Sequence, residues 1–225
     1  MNLLYQIAPN LQVLQAELLE CIQETLQMLL VSGTVSFVLG LFLGILLTVT
    51  KKDGILQNSL LYRIFDAAID VTRSIPFLIL MVLLIPVSRA LLHTASGVTG
   101  SYVALVAGTV PFFARQVESV LADIDHGLIE ASEAMGFSPL EIVFQVYLKE
   151  SVPGITRISM ITFVSLIGLT AMAGAIGAGG LGDFAIRYGY QMHYTDMIWI
   201  TVLIILAIIS VIQLTGNLII RRTTH

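Results

Sequence analysis

The sequence has little charge and a single cysteine, and each shortage excludes a class of protein. Charged residues make up 12% of the chain, whereas a soluble domain carries about 25%. A disordered or coiled-coil chain is therefore excluded, and a soluble enzyme is disfavoured because most of its surface would not suit water. Cys21 alone forms neither an internal disulfide nor a zinc site. The formal net charge of −4 offers no basic field, so we expect no nucleic-acid partner.

Long apolar runs are abundant instead. Hydrophobic residues make up 56% of the chain, and the mean hydropathy is +0.91. A helix needs about 20 mostly apolar residues to cross a bilayer. Four uncharged stretches reach this length: 25–50, 94–114, 158–182 and 197–220. A fifth stretch, 74–88, spans only if its helix begins earlier, within residues 61–72. The sequence therefore predicts an all-α membrane protein with five transmembrane helices.

The positions of lysine and arginine predict the orientation of these helices. Basic residues concentrate in the cytoplasmic segments of membrane proteins. With the N-terminus outside, Arg89 and Arg187 lie on the outer side, and the other basic residues lie inside. These are Lys51, Lys52, Arg63, Arg73, Arg115, Lys149, Arg157, Arg221 and Arg222. An odd number of spans then leaves the C-terminus in the cytoplasm.

The N-terminal segment carries a pattern of its own. Leucine and isoleucine recur at three- and four-residue steps after Pro9, which is typical of one face of a helix. These residues are Leu11, Leu14, Leu18 and Ile22. We predict that residues 1–20 form an extracytoplasmic or interfacial segment that leads into a transmembrane domain, residues 21–222. A helix that binds a partner is the alternative.

The polar segment 122–150, between the third and fourth spans, contains helix-capping signals that an unstructured linker would not need. Asp125 is placed to cap a short helix, which Gly136 would end in a left-handed conformation. Ser138, Pro139 and Glu141 form a capping box that starts a second helix. The first helix would present an apolar and acidic surface comprising Leu128, Ile129, Glu130, Ala131, Glu133, Ala134 and Met135. Such a surface predicts docking of a protein partner; an ordinary solvated loop is the alternative.

Particular motifs in this segment resemble a known family. Glu130-Ala131-Ser132, followed by Gly136, Ile142 and Pro153-Gly154, resembles the EAA loop of ATP-binding cassette importer permeases. The likeness to methionine importer permeases runs from about residue 26 to residue 222. It is carried by residues 73–77 (RSIPF), 127–132 (GLIEAS), 134–136 (AMG) and 177–182 (GAGGLG). The resemblance implies a type I permease fold, and only the sequence Leu148-Lys149, where the family often has Leu-Pro, departs from the pattern.

The resemblance also implies a function and a set of partners. The chain would be the permease subunit of an ATP-driven importer in the inner membrane, moving a small amino acid, methionine by overall likeness. It would act as a homodimer within the lipid bilayer, with an extracytoplasmic binding protein and two ATPase subunits, which hold ATP-Mg. Glu130, Ala131, Ala134 and Gly136 would contact the ATPase and set the turn. A permease for another small polar solute and an ion-coupled carrier are the alternatives.

The sequence lacks the motifs that are typical of catalytic, phosphate-binding and metal-binding sites. The sequence contains no GxxxxGK[ST] phosphate loop and no HExxH or GxSxG signature, so we expect no catalytic residue and no cofactor. The four histidines are not paired at metal-binding spacing, so we expect no metal site. Residues for binding the substrate are not assigned.

A glycine run and two charge pairs complete the sequence predictions. Gly177, Gly179 and Gly182 match GxGxxG but lack the strand that a dinucleotide site requires, so we predict a helix break that contributes to an external gate. Asp183 and Arg187 are predicted to pair at the four-residue helical spacing, and Asp70 to pair with Arg73.

Overall fold

The computed structural model describes residues 9–223, and the regular structure in this range is helical. The elements in chain order are α1 (Leu11–Thr50), α2 (Ser59–Ser74), α3 (Phe77–Leu83), α4 (Ile85–Leu92), α5 (Gly97–Ala122), α6 (His126–Ala134), α7 (Pro139–Ile142), the π-helical π1 (Val143–Tyr147), α8 (Leu148–Glu150), α9 (Val152–Ala173), π2 (Gly174–Ala178), α10 (Gly180–Phe184), π3 (Ala185–Gln191) and α11 (Thr195–Thr223).

Four of the described helices are long and apolar enough to cross a membrane. They are α1, α5, the continuous run of α9 and π2 (Val152–Ala178), and α11. Each contains most of one of the four uncharged stretches found in the sequence. The prediction of an all-helical membrane protein is therefore confirmed.

The predicted span at residues 74–88, the second along the chain, is not one continuous helix. The chain forms α2, α3 and α4 there, of 16, 7 and 8 residues, and none of them reaches the length of a span. The residue before a proline is pushed towards extended backbone, and Ile75, before Pro76, has φ −84° and ψ 122°. Pro86 lies in the first turn of α4 and has no amide hydrogen for the preceding turn. The two prolines therefore divide the segment.

The described chain forms two compact units. The first contains the residues up to Thr34, Pro76–Val106 and Phe163–Ile212. Its core includes the buried side chains of Met28, Leu105, Leu166 and Ile167. A second cluster in the same unit is built on Leu18, Cys21, Leu181, Phe184 and Met197.

The second unit contains Val35–Ile75, Ala107–Thr162 and the residues from Gln213 onwards. Its core is formed by the buried side chains Val49, Phe113, Val117, Leu121, Ile129, Ile142, Val143, Val146, Tyr147 and Ile158. Gly40 lets α1 approach α5 in this unit, since a Cβ there would lie 2.8 Å from Phe113 Cδ1. Small residues at such positions permit close helix packing.

The apolar stripe at the N-terminus is helical, as predicted, and it lies on α1 itself. Leu18 is buried, and Leu11, Leu14 and Ile22 pack beside it against the cluster that contains Phe184. The helix runs without interruption from Leu11 into the first predicted span. The part of the predicted N-terminal segment before Pro9 lies outside the described residues.

Candidate functional site

The loop after α5 has the local structure that its capping residues predict. The Asp125 carboxylate accepts a hydrogen bond from the Gly127 amide at 2.9 Å and so caps α6. Gly136 follows α6 with φ +85°, the left-handed conformation that glycine tolerates. Its amide donates to the Glu133 carbonyl, and the Phe137 amide donates to Ser132. The predicted helix, glycine turn and second helix are therefore present.

The second helix of the loop begins with a complete capping box. The Ser138 amide and hydroxyl both donate to Glu141 Oε2 at 2.7 Å, and the Glu141 amide donates back to the Ser138 hydroxyl at 3.4 Å. These bonds from the Ser138 side chain and amide lower the pKa of Glu141, because they favour the charged carboxylate. The cap is therefore strongest above the ordinary pKa of a glutamate and weakens as the pH falls through the lowered value.

One face of α6 is buried against the core of the second unit. Ile129 is 7% exposed and Ser132 is 4% exposed. Ile129 packs in the cluster that contains Phe113 and Ile142, and the Ser132 hydroxyl donates to the Leu128 carbonyl at 2.7 Å. The prediction that Ile129 belongs to the presented surface is therefore wrong, because the three-residue step from Ile129 to Ser132 defines the buried face.

The opposite face of α6 is open. Glu130, Ala131 and Ala134 are all exposed there, with Leu128 and Met135 at its edges. The second loop helix adds two exposed apolar residues that the sequence prediction missed, Leu140 and Phe144, which are 69% and 66% exposed. Their four-residue spacing was the available signal. We call these exposed residues the loop surface: Leu128, Glu130, Ala131, Ala134, Met135, Leu140 and Phe144.

The second loop helix is irregular in its middle and ends before Pro153. Its segment π1 buries Val143, Val146 and Tyr147. Burial, with the charge of Glu133 as a smaller cause, raises the pKa of Tyr147. Pro153 lies in the first turn of α9, after the break at Ser151. The proline that the family often has after Leu148 is thus not needed to end this helix.

A different feature, in the first unit, interrupts the backbone after α9. Ile176 has φ −113°, and Gly177 and Gly179 have φ +95° and +87° before α10 begins at Gly180. Gly180 also has a positive φ, +77°. Gly177 and Gly179 therefore lie in a helix break, as predicted from the glycine run.

Gly182 contributes to the break in another way. It lies within α10, and a Cβ there would lie 2.5 Å from the Ala171 Cα. Gly174 has a matching role, since its Cβ would lie 2.6 Å from the Asp183 amide nitrogen. The two glycines let the backbones on either side of the break touch, so Gly182 is a packing residue.

Side chains of α1 hold the segment that follows the break. The Gly180 amide donates to Glu24 Oε2 at 2.6 Å, and the Leu181 amide donates to the Thr25 hydroxyl at 2.8 Å. Two turns earlier on α1, Glu17 bonds Arg187 at 2.9 Å and accepts a hydrogen bond from the Tyr188 hydroxyl. Sequence reasoning missed these contacts, which join residues about 150 or more positions apart.

Arg187 also pairs with Asp183 at 2.6 Å, as predicted.

A second charge cluster, in the second unit, differs from its prediction. Asp70 pairs with Arg115 at 2.8 Å instead of the predicted Arg73, and Asp66 pairs with Arg115 at 2.7 Å. Glu118 completes the cluster at 2.7 Å from the same guanidinium. The planar guanidinium has enough donors for three carboxylates, and it lies on the helix against which α2 packs.

Within residues 9–223, no group of three or more histidine, cysteine, aspartate or glutamate side chains is arranged to hold a metal ion. The described residues offer two candidate functional features. One is the loop surface, whose helices are capped, and the other is the helix break after α9, which side chains of α1 hold in place.

Comparison with known proteins identifies the family. The model of binding-protein-dependent transport system inner membrane components matches residues 36–225. The chain belongs to this family. It is therefore an inner-membrane permease subunit of a transport system, as the EAA-loop motifs predicted, and not the subunit that hydrolyses ATP.

Individual relatives extend the similarity over most of the chain. The probable D-methionine transport system permease protein MetI of Vibrio cholerae serotype O1 is 42% identical over 208 residues, which are 92% of each chain. The methionine import system permease protein MetP of Bacillus subtilis (strain 168) is 41% identical over 174 residues, 77% of this chain and 78% of that protein.

A solved structure shows the same permease fold. A crystal form of the MetNI methionine ABC transporter, described as inward-facing, contains a chain that matches with a TM-score of 0.89 and 42% identity. The match covers 92% of this chain and 96% of that one. The described helices therefore belong to a known permease fold.

Proposed function

We propose that this chain is the permease subunit of an ATP-driven methionine importer and that it works as a pair of identical copies. The substrate is supported by relatives that are named for methionine transport and match over most of the chain. The coupling is supported by one observation above all: the loop surface is exposed although the helices that carry it are firmly capped.

The proposed topology has five crossings, with the N-terminus outside and the C-terminus in the cytoplasm. Four crossings are the long helices, and α2, α3 and α4 together make the remaining one, between α1 and α5. The excess of basic residues in the segments assigned to the cytoplasm supports this arrangement. Irregular backbone at membrane depth is tolerated where it is covered by protein or lines a cavity.

The loop surface would receive a separate cytoplasmic ATPase, which holds ATP-Mg. Ala131 and Ala134 have small side chains that allow the two backbones to approach closely, and Glu130 offers an exposed carboxylate. Gly136 sets the turn between the two loop helices. Because Ile129 packs α6 into the core of the second unit, α6 and the membrane helices of that unit would move together as a rigid body when the ATPase moves.

The helix break would form part of an external gate. Gly177 and Gly179 give the joint its positive φ angles, and Gly182 lets the two sides lie together. ATP binding would draw the two loop surfaces of the pair together and open the pathway to the outside, where a binding protein delivers methionine. Hydrolysis would then reset the helices to the inward-open state.

Reconstitution tests this function directly. The permease is placed in liposomes with its ATPase and its binding protein, and uptake of labelled methionine is measured with and without internal ATP. We expect uptake only when ATP and both partners are present. ATP-dependent uptake of a different solute would contradict the methionine assignment, and uptake driven by an ion gradient without ATP would contradict the importer class.

A further inference from the structure

We propose that Glu24 and Thr25 of α1 form a latch that holds the helix break in one arrangement and thereby couples ATP hydrolysis to transport. The latch consists of Glu24, Thr25 and the amides of Gly180 and Leu181. The coupling part of this inference rests on the proposed importer function. The geometric part, that these contacts hold the break closed, stands on the first unit alone.

The latch bonds are made to backbone groups that have no partner within their own helix. The first amides of a helix lack an acceptor in the preceding turn. At the start of α10, the Gly180 amide is bound by Glu24 at 2.6 Å and the Leu181 amide by Thr25 at 2.8 Å. The Thr25 hydroxyl donates its own hydrogen to the Cys21 carbonyl, so its oxygen is free to accept.

The backbone at the latch lies directly on α1. A Cβ at Gly179 would lie 2.6 Å from Glu24 Oε2, and one at Gly180 would lie 2.7 Å from the Thr25 hydroxyl oxygen. Glycine at these two positions is thus required both by the positive φ angles and by the approach of the latch side chains. The two sides are 156 residues apart in sequence, so local helix formation does not account for the contact.

Movement of α10 away from α1 must break both bonds at once. Thr25 is 2% exposed and Leu181 is 1% exposed, so water does not readily replace the lost partners. A bond to a charged group contributes more than a neutral one. The closed arrangement is therefore favoured by contacts that an open arrangement lacks, which is what a two-state gate requires. Glu17, which holds Arg187 and Tyr188, keeps the far end of the same segment on α1.

Thiol labelling of the assembled transporter tests the latch itself. Ala178, next to the break and 1% exposed, is changed to cysteine in a C21S background. We expect Glu24→Leu and Thr25→Val each to raise the labelling rate of Ala178→Cys about tenfold, because one latch bond is lost. Glu20→Leu is the control for the first change, since Glu20 is exposed one turn earlier on α1. Thr48→Val is the control for the second, since the Thr48 hydroxyl bonds a carbonyl of its own helix.

Uptake of methionine per ATP hydrolysed then tests the role in coupling, with Ala178 unchanged. We expect this ratio to fall about tenfold in Glu24→Leu and Thr25→Val. Glu24→Gln, whose amide oxygen still accepts from Gly180, should keep most of the ratio, and the controls should keep all of it. A variant that merely damages the structure would lower the yield of the complex, the rate of methionine uptake and the rate of ATP hydrolysis together.

Labelling rates equal to those of the controls would overturn the latch. Faster labelling with an unchanged uptake ratio would overturn its role in coupling. If Glu24→Leu does not assemble, the Thr25→Val results decide both questions. Because labelling needs no transport, failure of the wild-type assembly to carry methionine would contradict the proposed substrate and leave the labelling test in force.

Discussion

At Gly136 glycine is favoured by the backbone conformation and not by close contact with neighbouring residues. Its φ is +85°, yet within residues 9–223 no atom, apart from those of Gly136 and its two chain neighbours, lies within 4 Å of the position that a Cβ would occupy. A side chain there would therefore meet no neighbour, and the strain of a substitution would come from the left-handed backbone alone. Residues that tolerate this conformation should be accepted, and β-branched residues should not.

Two substitutions at Gly136 separate backbone strain from loss of space. Gly136→Val should uncouple ATP hydrolysis from methionine uptake, because the turn between the loop helices must change. Gly136→Asn should remain coupled, since asparagine adopts positive φ more readily. The measurement is uptake per ATP hydrolysed by the reconstituted complex. Equal coupling in the two variants would remove the structural basis for the role of Gly136.

Gly179 presents the opposite situation, because both its φ of +87° and its contact with Glu24 exclude a side chain. Gly179→Leu should impair uptake while the complex still assembles with its ATPase. The matched control is Gly97→Leu, since Gly97 also has a positive φ, but among the described residues none beyond its chain neighbours lies within 4 Å of its Cβ position. Uptake by Gly179→Leu at the level of this control would contradict a role for the break in gating.

At the scale of helices, α2 is held to α5 by charge as well as by apolar packing. Tyr62, Phe65 and Ile69 form the apolar contact, beside the buried Ala114. Arg115 binds Asp66, Asp70 and Glu118 at 2.7–2.8 Å and is 26% exposed, so its contacts are only partly screened by solvent. Removal of this guanidinium would leave three carboxylates close together without their cation.

Arg115→Met should therefore destabilise the purified complex, by about 2 kcal/mol or more for the lost charged hydrogen bonds. Arg73→Met is the control, since Arg73 is exposed on α2 and Asp70 bonds Arg115 instead. Thermal unfolding of the two complexes, compared with wild type, is the measurement. A loss in Arg73→Met as large as that in Arg115→Met would favour the pairing that sequence spacing suggests.

Local signals in the sequence predicted helices and turns well, and contacts between distant segments poorly. Asp125, Gly136 and the Ser138 capping box act within a few residues, so their effects were readable from the sequence. The hydrogen bonds from the Gly180 amide to Glu24 and from Arg115 to Asp66 join positions 156 and 49 residues apart, and nothing in local spacing indicates them. The ATPase-coupling role is predicted from family motifs, because a loop surface does not reveal its partner, and the gating role from the place of the glycine run in the sequence.

At the scale of the whole molecule, the proposed topology assigns a side of the membrane to the exposed loop and to the helix break. The loop surface would face the cytoplasm, where the ATPase is, and the helix break would lie towards the outside, where methionine arrives. Nine basic residues fall on the side assigned to the cytoplasm and two on the other. In the proposed importer, the loop surface must lie inside the cell and be covered by the ATPase.

Cysteine labelling at the loop surface measures this most directly. Ala131, which is exposed, is changed to cysteine in the C21S background, and membranes of either orientation are treated with a membrane-impermeant thiol reagent. We expect labelling of Ala131→Cys only from the cytoplasmic face, and loss of that labelling when the ATPase is bound. Labelling from the outer face, or equal labelling with and without bound ATPase, would contradict it.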